Sequence, residues 1–232
     1  MKSSYTLWSV VCLLVSVPLV VYLAQRRTAN AVPVVRYATF NVAMNRPEPG
    51  ALLAELRAGR SVQARQIAEI VQRTQPDVLL LCELDRDEAA ETAKVFASQY
   101  LAVPQNGQRP IEFEFSWCAP VNTGEPSGVD LDGDGRSDGP GDSFGFGAFP
   151  GQYGLVLLSR HPILTDRVRT FRKLLWSAMP GALRPAGYYS DEVWSRLRLS
   201  SKSHWDVPIG IGKHLVHVLC CHPTPPVFDG PE

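Results

Sequence analysis

The sequence predicts a mixed α/β fold, and three observations support this prediction. Short apolar runs that are typical of strands alternate with helical stretches in the first half of the chain. In the second half, similar runs are separated by long loops. The 232 residues are 45% hydrophobic and 20% charged, a globular composition that excludes a disordered or fibrous protein. We therefore expect sheets covered by helices around a sizeable core.

Four runs of the chain predict strands. Residues 34–41 are β-branched and aromatic, a composition that suits a pleated surface. The run 78–83 is almost wholly apolar, which predicts a central strand that is covered on both faces. Apolar runs at 153–159 and 215–222 predict two further strands.

Helices are predicted between the first two strands and after the second. Residues 50–74 follow a helical pattern that Gly59 divides into two pieces, and another helix is expected over 87–99. The chain then becomes loop-rich, since 16 of the 48 residues at 104–151 are Gly or Pro. A loop-rich insertion of this length within a compact domain is usually functional.

The N-terminal segment differs in character from the rest of the chain. Residues 7–24 form an uncharged apolar run whose length lies between a signal-peptide core and a membrane span. An Ala-Asn-Ala sequence ending at Ala31 has the pattern that signal peptidase recognises, whereas two arginines directly after the run favour an uncleaved anchor. We expect residues 1–31 to be a signal peptide or a membrane anchor. Residues 32–232 would then be exported: secreted, periplasmic or held at a membrane.

The charge balance disfavours one class of partner. The chain has 23 Lys and Arg against 23 Asp and Glu, and three of the basic residues but no acidic one lie in the first 31 residues. Residues 32–232 therefore carry 20 basic against 23 acidic residues. A slightly acidic body does not favour a broad nucleic-acid surface, although nucleic acid stays possible as a local substrate. The region 160–202, with nine basic and three acidic residues, is either a patch for an anionic substrate or a solvated face.

Three predicted strands end in a polar residue that can take part in chemistry. These residues are Asn41, Glu83 and His222. Each alone has an ordinary explanation, as a turn former, a solvated strand end or a loop residue. Strand ends that meet at one edge of a sheet are, however, where α/β enzymes place their sites. We therefore treat the three residues as one candidate site.

Four sequence pieces occur in a specific order and spacing. They are TFN at 39–41, a helix-Pro-Asp-strand-Glu unit over 65–83, YGLVLLSRHPI at 153–163 and CCHPTPP at 221–226. Together they resemble the endonuclease/exonuclease/phosphatase superfamily. The resemblance implies a deoxyribonuclease I-like fold, which is a four-layer α/β sandwich with a site along one edge of its two central sheets.

The resemblance also implies an activity, namely divalent-metal-dependent hydrolysis of phosphate esters with the substrate left open. Glu83 matches the acidic ligand of the metal, Mg²⁺ or Mn²⁺. Asn41 matches the Asn near the metal and the scissile phosphate, and His222 matches a catalytic His that contacts the phosphate. These assignments suit Mg²⁺ chemistry, because this ion needs only one or two carboxylates beside substrate phosphate.

Two features that the resemblance leads us to expect are missing after His222: a Gly-Asp-x-Asn strand end and a late Asp-His pair. The expectation is therefore an N-terminal portion of the domain, with a sandwich incomplete at its C-terminus and no activity by itself. The alternative function is a non-catalytic, calcium-binding extracellular module that keeps the fold and binds a partner. The sequence indicates no oligomeric state.

An Asp-rich motif lies within the loop-rich insertion. It reads DLDGDGRSD over 130–138 and has oxygen ligands at alternate positions around a tight glycine turn. This spacing predicts a Ca²⁺ site, although a flexible acidic loop is the alternative. The expected ligands are the carboxylates of Asp130, Asp132, Asp134 and Asp138 and the backbone carbonyl of Arg136.

Two smaller groups of residues complete the candidates. Lys202, His204 and Asp206 alternate, so on a strand they would share one face. Lys202 and His204 are candidate substrate-binding residues there, and a solvated edge strand is the alternative. Four cysteines of the exported part either pair or stay as buried free thiols: Cys82, Cys118, Cys220 and Cys221.

Overall fold

The computed structural model describes residues 34–224. The predicted signal or anchor segment, residues 1–31, lies outside the described residues. Within the described part of the chain, no helix is long and apolar enough to cross a membrane.

The first of two sheets has four strands. They are β1 (Tyr37–Met44), β2 (Val78–Leu84), β3 (Phe115–Trp117) and β4 (Leu155–Ser159). Their order in the sheet is β1-β2-β4-β3, with β1 parallel to β2 and β4 antiparallel to both β2 and β3. Because β1 and β2 are parallel, their carboxyl ends meet at one edge of the sheet.

The second sheet has three antiparallel strands. They are β5 (Arg169–Thr170), β6 (His204–Ile211) and β7 (His214–Cys221), in that order. A two-residue turn joins β6 to β7, and its first residue, Gly212, has φ +58°, the conformation that such hairpin turns require. His204 pairs with Cys221, so the carboxyl end of β7 lies beside the start of β6.

Three helices follow the order that the sequence predicts. They are α1 (Ala51–Arg57), α2 (Val62–Thr74) and α3 (Glu91–Phe96), and α3 continues as a π-helical turn over Ala97–Leu101. Gly59 separates α1 from α2 with φ +66°, and the Ser61 hydroxyl accepts a hydrogen bond from the Ala64 N–H at 3.2 Å to cap α2. A short helix, α4 (Asp191–Arg196), lies between β5 and β6.

The hydrophobic core has two layers on opposite faces of the first sheet. Leu79 and Leu81 of β2 pack with the helices, whereas Leu80 and Cys82 pack with the second sheet. This alternation explains the continuous apolar run of β2, because both faces of the strand are buried. At the centre of the layer between the sheets, Trp205 is fully buried.

The fold class predicted from the sequence is confirmed as an α/β sandwich with two stacked sheets. The described residues supply a helical layer and both sheets, in the order helices, first sheet, second sheet. On the outer face of β7, Leu215 and Leu219 are exposed.

The predicted boundary of the first strand is wrong. The strand runs over Tyr37–Met44 rather than 34–41, so Asn41 is not its last residue. The register shifts between Asn41 and Met44, and Ala43 has φ +46°. Because of this irregularity, the strand continues beyond Asn41 and the Asn41 side chain is directed towards the edge of the sheet.

Candidate active site

Asn41 and Glu83 come together at the edge where β1 and β2 end. The Asn41 side-chain amide donates a hydrogen bond from Nδ2 to Glu83 Oε1 at 2.9 Å, and its Oδ1 accepts one from the Ala43 N–H at 3.1 Å. The second contact fixes the orientation of the amide, so Asn41 holds one oxygen of the Glu83 carboxylate in place.

The backbone of Glu83 is strained. Its φ is +63°, a left-handed conformation that costs a residue with a side chain about 1–3 kcal/mol. Such strain persists only where the surroundings hold it, and it is common at functional sites. Because of this conformation, the Glu83 side chain does not follow the alternation of side chains between the two faces of the sheet. The thiol of Cys82 stays in the core between the sheets.

Asp85 clamps the loops around this edge. Its carboxylate accepts hydrogen bonds from the N–H of Arg46 at 2.6 Å and of Tyr153 at 3.0 Å. The residue is buried, and burial raises the pKa of the Asp85 carboxyl. Asp85 was not predicted as a site residue. Its only signal in the sequence is that it is a further acidic residue after a buried strand.

His222 reaches the same edge from the end of β7. Its Nε2 lies 3.9 Å from Glu83 Oε1, and both side chains are mostly buried. Its Nδ1 is buried with no hydrogen-bond partner among the described residues. Burial lowers the pKa of His222, the positive charge of Lys202 lowers it further, and Glu83 opposes both effects. The imidazole is therefore predominantly neutral near pH 7.

Lys202 is the fourth member of this group. It is half-buried, and burial lowers the pKa of its ammonium while the charge of Glu83 raises it. Lys202 precedes β6 and does not lie on the strand, so the alternation drawn from the sequence does not apply to it.

His204 and Asp206 lie on β6 and have other partners than Lys202 has. The His204 ring packs edge-on against Phe171, with 6.0 Å between the ring centroids. Asp206 accepts hydrogen bonds from Arg169, and its Oδ1 lies 2.6 Å from His217 Nδ1. Both contacts hold the pKa of Asp206 below its usual value, and the contact with Arg169 has the larger effect. The expectation that all three residues lie on one strand is therefore wrong, because Lys202 precedes β6.

Asn122 holds the backbone around Lys202. Its N–H donates to the Lys202 carbonyl at 2.7 Å, and its Nδ2 donates to the carbonyls of Arg172 at 2.8 Å and Ser200 at 2.6 Å. Its Oδ1 accepts a hydrogen bond from Arg198 at 2.6 Å. Asn122 is fully buried, yet nothing in its sequence surroundings marks it, because all the hydrogen-bond partners of its side chain are distant in the chain.

The Asp-rich loop brings three of its predicted ligands together. The carboxylates of Asp130, Asp132 and Asp134 place one oxygen each within 4.8 Å of one another. Asp138 instead pairs with the Arg136 guanidinium at 3.0 Å. The loop therefore has a three-carboxylate cluster within the loop-rich insertion.

The four cysteines in the described part of the chain are free. Burial raises the pKa of the Cys118 thiol to about 11 and that of Cys220 to about 12. Both thiols are therefore protonated at neutral pH and are poor ligands for a soft metal.

The site fits a hard divalent cation. Glu83 presents a carboxylate with one oxygen fixed by Asn41, and the neighbouring thiol of Cys82 is directed into the core. Mg²⁺ and Mn²⁺ prefer such oxygen donors and keep several waters, so one carboxylate beside a substrate phosphate suffices.

Comparisons with known proteins place the chain in a family. The model of the endonuclease/exonuclease/phosphatase family matches residues 38–230. No curated protein matches the chain. An endonuclease/exonuclease/phosphatase from Beutenbergia cavernae is 20% identical with a TM-score of 0.37, and the match covers 80% of this chain and 37% of that one.

A second solved structure gives a similar result. A family protein from Leptotrichia buccalis is 11% identical with a TM-score of 0.41, and the match covers 84% of this chain and 56% of that one. The chain thus spans between a third and three fifths of these structures. The family match extends over well more than half of the chain and includes Asn41, Glu83, Lys202 and His222. The chain belongs to the endonuclease/exonuclease/phosphatase family.

Proposed function

We propose that this protein hydrolyses phosphate esters with the help of a divalent metal ion, Mg²⁺ or Mn²⁺. The observation that carries the proposal is the grouping of Asn41, Glu83, Lys202 and His222 at one sheet edge, from four separate parts of the chain. A carboxylate, an ammonium and a neutral imidazole together can hold a cation, bind a phosphate oxygen and move a proton.

Each residue has a specific part in the proposed reaction. Glu83 holds the metal, whose positive charge would offset the charge that builds on the phosphoryl oxygens. Asn41 keeps the Glu83 carboxylate in position through the 2.9 Å hydrogen bond. Lys202 binds a non-bridging phosphate oxygen, and the neutral His222 accepts or donates a proton through Nε2.

The activity of the whole protein is part of this proposal, and so is the existence of a group that activates the attacking water. Glu83→Gln should nearly abolish hydrolysis of bis(p-nitrophenyl) phosphate, and excess metal should restore part of the rate, because the amide keeps the shape of the side chain but lacks its charge. His222→Ala should lower the rate roughly 10²–10⁴-fold, and metal should not rescue it. Glu112→Gln, which alters an exposed residue, is the matched control.

A direct measurement of metal binding separates ion affinity from turnover. In a chain that also carries Asp132→Ala and Asp134→Ala, electron paramagnetic resonance of free Mn²⁺ reports binding at the remaining site. We expect Glu83→Gln to weaken this binding, whereas Glu112→Gln should not. Equal Mn²⁺ affinity of both variants would refute the assignment of Glu83 as a metal ligand.

We also propose that the Asp-rich loop binds Ca²⁺. The convergence of Asp130, Asp132 and Asp134 within 4.8 Å supports this, because like charges so close repel one another until a cation neutralises them. Calorimetry should detect Ca²⁺ binding that Asp132→Ala with Asp134→Ala removes. Calcium binding without any phosphoesterase activity would favour the alternative function, a calcium-binding module that acts through a partner.

A further inference from the structure

A group of exposed apolar side chains lies in the long connection between β5 and β6. The described residues include fourteen large hydrophobic side chains that are exposed, and six of them fall within residues 171–199. These six are Phe171, Leu175, Met179, Leu183, Tyr188 and Leu199. Soluble proteins rarely concentrate exposed apolar residues in this way unless the surface contacts something.

The connection is an organised structure. The Trp176 ring lies 5.1 Å from that of Trp194 and 6.2 Å from that of Tyr189, measured between ring centroids. Backbone hydrogen bonds join its outgoing and returning parts, from Leu199 to Leu174 at 2.8 Å and from Trp176 to Leu197 at 2.9 Å. The aromatic rings therefore pack on one another within the connection.

The same connection has a net positive charge. Residues 171–199 contain five basic residues and two acidic ones. Arg196 pairs with Glu192 at 3.2 Å, and Arg198 pairs with Glu125 at 2.9 Å. Arg172 pairs with Glu125, and Arg184 pairs with Asp191 at 2.7 Å, whereas Lys173 is exposed and makes no ion pair in the described part of the chain. Apolar tips, a band of Trp and Tyr and a positive charge form the combination that suits the interface of an anionic membrane.

Both ends of the connection are tied to the segment around Lys202. The Phe171 N–H donates to the His204 carbonyl at 2.8 Å, next to the start of β6. The Asn122 side chain binds the carbonyls of Arg172 and Ser200, one at each end of the connection, and its N–H binds the Lys202 carbonyl. A surface that is docked through this connection is therefore held near Lys202.

We propose that residues 171–199 dock on an anionic lipid bilayer and that the substrate is a phosphate ester presented at that surface, as in a phospholipid head group. The choice of substrate class rests on the proposed function, whereas the docking itself does not. A single-stranded nucleic acid is the other candidate for a basic aromatic surface. The exposed aliphatic side chains of Leu175, Met179 and Leu183 favour lipid, because they offer no stacking face to a base.

The test measures the contact of Trp176 with lipid. Total vesicle binding would not be specific, because residues 7–24 could bind vesicles by themselves. The chain is mixed with vesicles of brominated phosphatidylcholine, with or without phosphatidylglycerol, and the quenching of tryptophan fluorescence is measured. The difference between the parent chain and its Trp176→Phe variant isolates the signal of Trp176. We expect this signal to be quenched by the vesicles, and more strongly when anionic lipid is present.

A paired variant makes the test specific. Met179→Asp with Leu183→Asp should abolish the quenching of Trp176, since both side chains are exposed and their replacement removes apolar contact and adds repulsion from anionic lipid. Val62→Asp with Ile70→Asp changes two exposed apolar residues of α2 and should leave the quenching intact. Circular dichroism of both variants reports whether the fold is kept.

The outcomes are distinct. Quenching that both pairs of variants retain, or no quenching of Trp176 at all, would overturn the docking proposal. Loss of binding to a fluorescent oligonucleotide in the Met179→Asp, Leu183→Asp variant, without any vesicle contact, would assign the surface to nucleic acid. Vesicle contact in a protein that hydrolyses no phosphate ester would refute the proposed function and leave the docking surface standing.

Discussion

The substitution Asn122→Ala tests whether one buried side chain holds the segment that carries Lys202. Asn122 is fully buried and makes three side-chain hydrogen bonds, two as a donor to the carbonyls of Arg172 and Ser200 and one as an acceptor from Arg198. Alanine leaves the two carbonyls without these donors. Arg198 keeps its ion pair with Glu125 at 2.9 Å, so its loss is smaller.

The expected destabilisation follows from this count. A buried polar group that loses its partner costs about 1–3 kcal/mol. Two carbonyls, partly relieved by water that enters the space of the missing amide, give a loss of about 2–4 kcal/mol in the free energy of unfolding. With a urea slope of about 2 kcal/mol per molar, the middle of the usual range, the midpoint of unfolding should fall by roughly 1–2 M.

The assay is urea unfolding followed by tryptophan fluorescence and circular dichroism. Asn45→Ala, at a partly exposed position, is the matched control and should change stability by less than about 0.5 kcal/mol. Mass spectrometry after brief acetylation should also show that Lys202 reacts faster in Asn122→Ala. A loss no larger than that of the control, with unchanged Lys202 reactivity, would refute the structural role assigned to Asn122.

Three further predictions concern other parts of the chain. Gly145→Ala should lower the thermal unfolding temperature and displace the segment before Lys202, because an added Cβ would lie 1.7 Å from the Ser201 carbonyl oxygen. Gly210→Ala is the control in the same assay and should be tolerated, because its Cβ would meet nothing closer than 3.7 Å. Asp206 has a lowered pKa in the folded protein, so its contribution to stability is present above the ordinary value of 3.8 and is lost as the pH falls through the lowered pKa. In Asp206→Asn, stability measured by urea unfolding should therefore depend less on pH in that acidic range, and an unchanged dependence would contradict the assignment. Export should remove the segment that ends at Ala31, which N-terminal sequencing of the secreted protein checks; a membrane-bound chain with its original N-terminus would indicate an anchor.

Local patterns in the sequence were sufficient for most of the elements. The division of 50–74 at Gly59 follows from a residue that adopts a left-handed conformation at no steric cost, and the structure shows φ +66° there. The continuous apolar run that became β2 predicted burial on both faces, which the two core layers confirm. These features depend on neighbours in the sequence, so the sequence contains their signal.

The candidate site was accessible to sequence analysis only where a strand end marks it. Glu83 and His222 follow apolar runs, and their meeting could be anticipated because strands carry their ends to a common edge. Asn41 was found for a partly wrong reason, since β1 continues past it through an irregular register. The irregular register depends on pairing with β2, whose paired residues lie 40 or 41 positions further along the chain and meet β1 only when the chain folds.

The tertiary structure alone decided the remaining positions. Lys202 and His204 alternate in the sequence, but β6 begins at His204, so Lys202 follows the loop towards Glu83 while His204 packs on Phe171. Asn122 gave no signal, because the groups to which it donates hydrogen bonds are backbone carbonyls 50 to 80 residues away, and a carbonyl is the same group in every residue. The sequence by itself therefore determined four of the seven described strands, three of the four described α-helices and the chemical groups at the strand ends. Long-range backbone contacts decided which loops lie around these groups, and no residue type encodes such contacts.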